Sequence, residues 1–236
     1  MSTASDLPPP MNHVFVDFEN VHQVDLTLIG AKAVSFTLMV GPKQTKLDSD
    51  LVEKLMASPH YGERMAIGWL DVVRFADTIG YHSDNPRNVW PYRDYVIKSF
   101  NDNKRFDRFT IEQIAGDLLP DRTLDQQVAT GFSRCLATTG EGGAIGEEYD
   151  AIYAKDRVDT MSAIWLGLTT GCASCHDHKF DPISTKEFYS LTAFFRNTPM
   201  SSLDGNKADH PPNVFVPLMD DRQRWTSLAG EIAATD

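Results

Sequence analysis

The longest helical pattern in the sequence is EEYDAIYAKDRVDTMSAIWLGLT, residues 147–169, which leads the chain to Cys172-Ala-Ser-Cys175-His176. Its apolar side chains recur at helical spacing: they are Ile152, Val158, Met161, Ile164, Trp165 and Leu168. The pattern predicts a long helix with one buried face and the Cys-x-x-Cys-His run at its C-terminal end.

The Cys-x-x-Cys-His run is the attachment signature of a c-type haem. Two thiols one helical turn apart reach the two vinyl groups of one porphyrin, and the histidine that follows ligates the iron. Cys172 and Cys175 are therefore predicted to bind haem c covalently. His176 is predicted to be the proximal iron ligand.

Three other interpretations of the motif are open. A structural zinc site needs four ligands, commonly two pairs, and here one cysteine pair stands beside His176 and His178. A thioredoxin-like redox pair normally follows a strand in a βαβ unit, and no strong strand pattern precedes Cys172. A disulfide, or two thiols without a role, is the third. The spacing favours haem over a disulfide or unused thiols, and these over zinc.

Composition limits the class of protein. The chain has 236 residues with 42% hydrophobic residues, enough for a substantial core, and a formal net charge of −11. This acidic balance argues against a general binder of nucleic acid or of anionic membranes. Cys135 stands apart from the motif, so the cysteines form no disulfide framework. No apolar run has the length of a membrane span.

The remaining pattern is mainly helical from Asp48 onward. The predicted fold class is mainly α: a helical domain that carries the Cys-x-x-Cys-His motif, preceded by a short α/β fragment of two strands. Thr110 and Ser184 are predicted helix caps. Besides 147–169, helices are predicted over 48–57, 60–79, 89–103, 110–119, 124–136, 184–195 and 220–234.

The N-terminal part differs in character. Residues 1–12 are polar and proline-bearing and are predicted to be a disordered lead, without the regions of a signal peptide. Two apolar runs, 13–18 and 33–40, predict strands. The predicted division of the chain is 1–12, a fragment at 13–47, a helical domain at 48–198, and an irregular tail with a terminal helix at 199–236.

The run Val14-Phe-Val-Asp17-Phe-Glu19-Asn20 resembles the opening motif of PIN-like and NYN-type nucleases. In that family the first aspartate ends the first strand and helps to bind a divalent metal, which implies a metal-binding role for Asp17. Two-metal chemistry needs several converging carboxylates, and no further ones are recognisable. A metal-dependent nuclease fragment is thus an alternative function, and a fragment without activity is favoured over it.

Several segments in order over residues 51–197 match one known family. They include Ala57-Ser-Pro-His-Tyr-Gly-Glu-Arg64, Trp69-Leu-Asp71, Arg74-Phe-Ala-Asp77, Glu141-Gly-Gly143, Asp156-Arg157-Val158 and Trp165-Leu-Gly-Leu-Thr-Thr-Gly-Cys-Ala-Ser-Cys-His-Asp-His-Lys-Phe-Asp-Pro-Ile183. On these segments, residues 51–197 resemble the planctomycete cytochrome-C-related family, domain-of-unknown-function family 1549. Members look like parts of large exported bacterial proteins whose activity is not established.

With the motif, the resemblance implies a haem-c module that transfers electrons to a redox partner the sequence does not identify. It implies a periplasmic or extracellular location. The absence of a signal peptide predicts a cytoplasmic product if the chain is expressed as given. Because the nuclease-like segment stands where family members carry an export signal, a fused or truncated reading frame is also predicted, with its junction near residues 47–51. The alternative is a non-enzymatic interaction domain whose cysteines form a disulfide or are unused. No spacing assigns a catalytic residue.

Secondary ligands follow from the haem interpretation. Candidates for the distal iron ligand are His60, His82, His210, Met161 and Met200. His60 is preferred, because it begins a predicted helix inside a family segment. His178 lies too close to His176 to reach the other side of the ring. Asp71, Arg74 and Asp77 are expected on one helix side, and Arg74 or Arg157 could hold a haem propionate.

Overall fold

The computed structural model describes residues 12–17, 34–39, 49–81, 84–203, 205 and 207–235. Within these residues the fold is mainly helical, as predicted. The chain divides into two compact units, Met1–Met56 and Ala57–Asp236, which are described separately. The elements are β1 (Asn12–Asp17), β2 (Val34–Met39), α1 (Ser49–Met56), α2 (Tyr61–Val72), α3 (Trp90–Asn101), α4 (Phe106–Ala115), α5 (Leu124–Ala129), α6 (Gly146–Met161), α7 (Thr185–Arg196) and α8 (Arg222–Thr235).

The first unit contains β1, β2 and α1. The two strands pair in parallel, with Asn12 opposite Val34 and Asp17 opposite Met39. Of the predicted disordered lead, 1–12, residues 1–11 lie outside the described residues, and Asn12 belongs to β1. Glu19 also lies outside the described residues. The structure therefore places Asp17 at the end of β1 but does not describe what surrounds its side chain.

The second unit has an aromatic core built by α2, α3, α4 and α5. Trp165, which follows α6, packs edge-on against Trp69 of α2, with the ring centroids 5.6 Å apart. A buried polar contact lies within this core, because Gln113 of α4 accepts from Trp69 Nε1 at 2.9 Å and from the Tyr92 hydroxyl at 2.6 Å. The buried members are Ala66, Val73, Tyr92, Tyr95, Val96, Phe109, Val128, Ala129, Phe132 and Cys135.

Close packing of α2 on α3 depends on one glycine. A Cβ on Gly62 would lie 2.3 Å from the carbonyl oxygen of Ile97 in α3. The Gly62 N–H also donates to Asn101 Oδ1 at 2.7 Å. The two helices can therefore approach this closely only where α2 has no side chain.

A second, smaller core joins α6, the motif segment and α7. Val158, Ala173 and Phe188 are fully buried and form its centre. Ser184 caps α7 as predicted, because its hydroxyl accepts from the Glu187 N–H while the Glu187 carboxylate accepts from the Ser184 N–H. This reciprocal cap fixes where α7 starts, at Thr185, nine residues after His176.

The predicted helix over 60–79 is wrong in its second half. Helix α2 ends at Val72, and Arg74 adopts a left-handed backbone conformation with φ of 60°. From that position the Arg74 guanidinium donates to both carboxylate oxygens of Asp156 in α6, at 2.9 and 2.7 Å. A tertiary ion pair thus accompanies the turn, and Asp71, Arg74 and Asp77 do not share a helix side.

The predicted helix over 147–169 is also too long. Helix α6 ends at Met161 and one wider turn, residues 162–166, follows before Gly167 reverses the backbone with φ of 66°. Glycine favours this left-handed ending. The motif consequently does not lie at the end of that helix. It begins in a separate short 3₁₀ turn, Thr170–Ser174.

Two further boundaries differ from the predictions. Helix α4 begins at Phe106, so Thr110 is not its cap; the Thr110 hydroxyl instead accepts from Trp165 Nε1 at 2.9 Å. The predicted helix over 124–136 is α-helical only to Ala129 and continues as a 3₁₀ turn over Thr130–Arg134. The Thr110 side chain, which was expected to cap α4, is thus used by a contact with a residue distant in sequence.

Candidate functional site

The Cys-x-x-Cys-His motif lies on the surface of the second unit, between α6 and α7. Cys172 falls within the 3₁₀ turn and Cys175 directly after it. Both thiols are exposed and neither forms a disulfide. His176 is exposed as well. The three predicted ligands are thus accessible together from solvent.

The motif is anchored through Ala173, the first of the two residues between its cysteines. Ala173 is fully buried against Val158 of α6 and Phe188 of α7. On the α7 side, the Tyr189 hydroxyl donates to the Ser174 carbonyl at 3.0 Å. Burial of the small alanine turns the flanking cysteine side chains outward, because the turn has only one face toward the core.

A second anchor precedes the motif. The Thr170 hydroxyl donates to Asp159 Oδ1 of α6 at 3.1 Å. A Cβ on Gly171 would lie 2.7 Å from Asp159 Oδ2, so the chain passes the carboxylate more closely than a larger residue could. Burial raises the pKa of Asp159, and the Thr170 bond opposes that rise. Asp159 was not predicted from the sequence, because only its contact with Thr170 in the folded chain distinguishes it from the other acidic residues of α6.

The His176 ring is held in a tautomer suitable for metal ligation. Its Nδ1 lies 2.8 Å from the carbonyl oxygen of Asp177, a group that can only accept. Nδ1 must therefore carry the proton, which leaves the lone pair of Nε2 free in the neutral ring. Histidines that bind metals commonly use such a bond to orient the ring.

His178 has a different role from His176. Its ring Nδ1 accepts from the Asp181 backbone N–H at 2.8 Å, and the backbone N–H of His178 donates to the Ile183 carbonyl at 2.8 Å. Asp181 Oδ2 also lies 3.3 Å from the same Nδ1. The shorter backbone bond makes Nδ1 an acceptor, so we assign the neutral ring and no ion pair. His178 thereby holds the loop between the motif and α7.

The candidate distal ligands lie in varied surroundings. His60 is exposed and its Nδ1 contacts Glu63 at 2.9 Å. His210 is buried, with Nε2 3.3 Å from the Leu203 carbonyl. Met161 is the last residue of α6, Met200 lines a cavity beside that helix, and His82 lies outside the described residues. No contact between the motif and any of these candidates is present among the described residues.

The two arginines proposed for a propionate also differ. Arg74 already has a carboxylate partner, since it binds Asp156 at both oxygens and the Thr160 hydroxyl at 2.6 Å. Arg157 is buried, and its Nε donates to the Ser133 carbonyl at 3.0 Å. The propionate role is therefore not supported for Arg74, and Arg157 keeps unused donor capacity.

Across the described ranges, no cluster of three or more histidine, cysteine, aspartate or glutamate side chains could hold a metal ion. Within the same part of the chain, no helix is long and apolar enough to cross a membrane.

The family PSCyt2, described as a protein of unknown function (DUF1549), matches residues 23–200, and the chain belongs to it. The match confirms the resemblance and begins earlier than predicted, so it includes β2 and α1. No curated protein and no solved structure matches the chain.

Proposed function

We propose that this chain is a c-type haem-binding module that transfers electrons. The observation that carries the proposal is the arrangement of the motif: two exposed, unpaired thiols flank a buried alanine, and His176 follows with Nε2 free to ligate. These are the donor types that attach haem c.

The residues present fit this group. Each thioether forms when a cysteine S–H adds across one vinyl double bond, the sulfur to one carbon and the hydrogen to the other. This addition needs reduced thiols and no oxidant, and both thiols are free. Cys172 and Cys175 would hold the porphyrin, and His176 would ligate its iron through Nε2. A haem held there would supply a one-electron iron couple.

Attachment is tested with a chain that carries an added signal peptide and is coexpressed with a haem-attachment system. We expect a Soret band that survives acid-acetone extraction. Cys172→Ala/Cys175→Ala should abolish it, and His176→Ala should leave little haem or an altered high-spin spectrum. Cys135→Ser is the matched control, because that thiol is buried away from the motif and should be dispensable.

A colourless exported protein would contradict the proposal. The alternative, an interaction domain with the cysteines as a disulfide or unused, would then apply. Its supporting observation is the exposure of apolar side chains near the motif, since Phe180 is 83% exposed. Mass spectrometry before and after reduction would distinguish a disulfide from free thiols by the mass of two protons.

A further inference from the structure

A cavity of about 180 Å³ lies between α6, the end of α7 and the segment that follows it. Helix α6 supplies Asp150 and Arg157, and α7 supplies Arg196. Hydroxyl groups line the other side, from Thr198, Ser201 and Ser202. The volume is more than ten times the ~10–15 Å³ that one water molecule needs, so a small organic molecule can enter. None of the three motif ligands lines this cavity.

Arg157 is the unusual residue of the cavity wall. It is only 6% exposed, and its Nη2 is buried without a hydrogen-bond partner among the described residues. Burial lowers the pKa of Arg157 to about 10, although Asp156 favours the charged form. A buried charged donor without a partner is costly. This cost would be offset by an acceptor in the cavity toward which the guanidinium turns, since Nη2 itself has almost no exposed surface in the ligand-free chain.

Arg157 also borders a second cavity, but that one is about 10 Å³. Such a volume is at the lower limit for a single water molecule. Of these two cavities, the larger one is therefore the one with room for an organic ligand.

The charges of the cavity indicate what kind of acceptor fits. Two guanidinium groups and one carboxylate, Asp150, give the lining a net charge of about +1, which favours a monoanion over a dianion. A planar guanidinium matches a carboxylate with two parallel hydrogen bonds. Asp150, an acceptor, favours a ligand that also carries a hydroxyl or ammonium donor.

We propose that this cavity binds a small carboxylate with a neighbouring hydrogen-bond donor, through Arg157 and Arg196 for the carboxylate and Asp150 for the donor. None of the three motif ligands lines the cavity, so the proposal does not depend on haem attachment. A haem propionate and a free organic acid share the carboxylate chemistry, and the experiment below separates them.

The test is calorimetric titration of the haem-free chain with glycolate, acetate and inorganic phosphate. We expect glycolate to bind more tightly than acetate, which lacks the donor, and more tightly than phosphate at a pH where the latter is a dianion. Arg196→Gln, an exposed position, should weaken glycolate binding about tenfold or more, because it removes a charge-assisted bond. Arg157→Lys should weaken it too, because the ammonium lacks the planar fork.

The matched control is Arg105→Gln, an exposed arginine at the start of α4 that pairs with Asp107. It should leave glycolate binding unchanged. Asp150→Asn should reduce the preference for glycolate over acetate. Titration of the haem-loaded chain separates the sources: retained glycolate binding indicates a free acid, and lost binding indicates that a propionate occupies the site. Absence of glycolate binding to the haem-free chain, or equal binding by Arg196→Gln, would overturn the proposal.

Discussion

The three cysteines illustrate how residue-scale surroundings decide reactivity. Cys135 is 6% exposed, its Sγ lies 3.5 Å from the Gly131 carbonyl, and burial raises the pKa of its thiol to about 12. Cys172 and Cys175 are exposed. Because the thiolate is the reactive form, Cys135 is protected in the folded chain, and exchange with the motif cysteines is not expected.

This difference gives a prediction for thiol labelling. In the native, haem-free chain at pH 8, an alkylating reagent should modify Cys172 and Cys175 and leave Cys135 intact. After denaturation all three should react. Peptide mass spectrometry identifies each site. Labelling of Cys135 at the rate of the motif cysteines in the native state would contradict its burial.

At the scale of elements, the contact of α2 with α3 is limited by a single position. Gly62→Ala should destabilise the fold by ~1–3 kcal/mol, because the new methyl group meets the backbone of Ile97 and cannot be accommodated by a side-chain rotation. Urea unfolding followed by circular dichroism measures the change.

Gly68 is the matched control in the same helix. It is exposed, and a Cβ there would meet nothing within 4 Å. Gly68→Ala should therefore stabilise the protein by ~0.5–1 kcal/mol through helix propensity. Equal effects of the two substitutions would show that the helices do not approach as closely as described.

The carboxylate of Glu112 connects α4 with α3 and the segment before α4. It accepts from the Tyr95 hydroxyl at 2.9 Å and from Lys104 Nζ at 2.5 Å. Burial alone would raise the pKa of Glu112, but the bonds from Lys104 and Tyr95 outweigh it and hold that pKa below its ordinary value. The ionised carboxylate thus stabilises the folded state.

A pH dependence follows with a definite sign. Because the folded-state pKa is depressed, the stabilisation is fully present above the unfolded value of about 4.3 and is lost as pH falls through the folded-state pKa. Glu112→Gln should cost ~1.5–3 kcal/mol at pH 7, and the difference from the native chain should shrink below pH 4. A difference that stayed constant between pH 7 and pH 3 would rule out this role.

At the scale of the whole molecule, Ala57–Asp236 forms a compact unit with both hydrophobic cores. We expect a chain of residues 57–236 to keep a helical circular dichroism spectrum and a cooperative thermal transition, because every described member of both cores lies within these residues. Loss of the cooperative transition on truncation would show that the family segment before Ala57, which is part of the match, is needed for folding.

Local sequence signals determined the helical class, the existence of most helices and the cap at Ser184. They also determined the motif, whose chemistry depends on spacing along the chain. These features are predictable because their physical causes, side-chain periodicity and capping bonds, act over a few residues. The acidic composition is likewise a property of the sequence.

Tertiary contacts decided the rest. Helix α2 ends early where Arg74 reaches Asp156, 82 positions away, and the Thr110 hydroxyl binds Trp165 rather than capping a helix. The hydrogen bond between Thr170 and Asp159 forms only once α6 packs against its neighbours. The same packing leaves Nη2 of Arg157 buried without a partner among the described residues. Local propensity cannot register such contacts, because their free energy arises from groups that meet only in the folded chain.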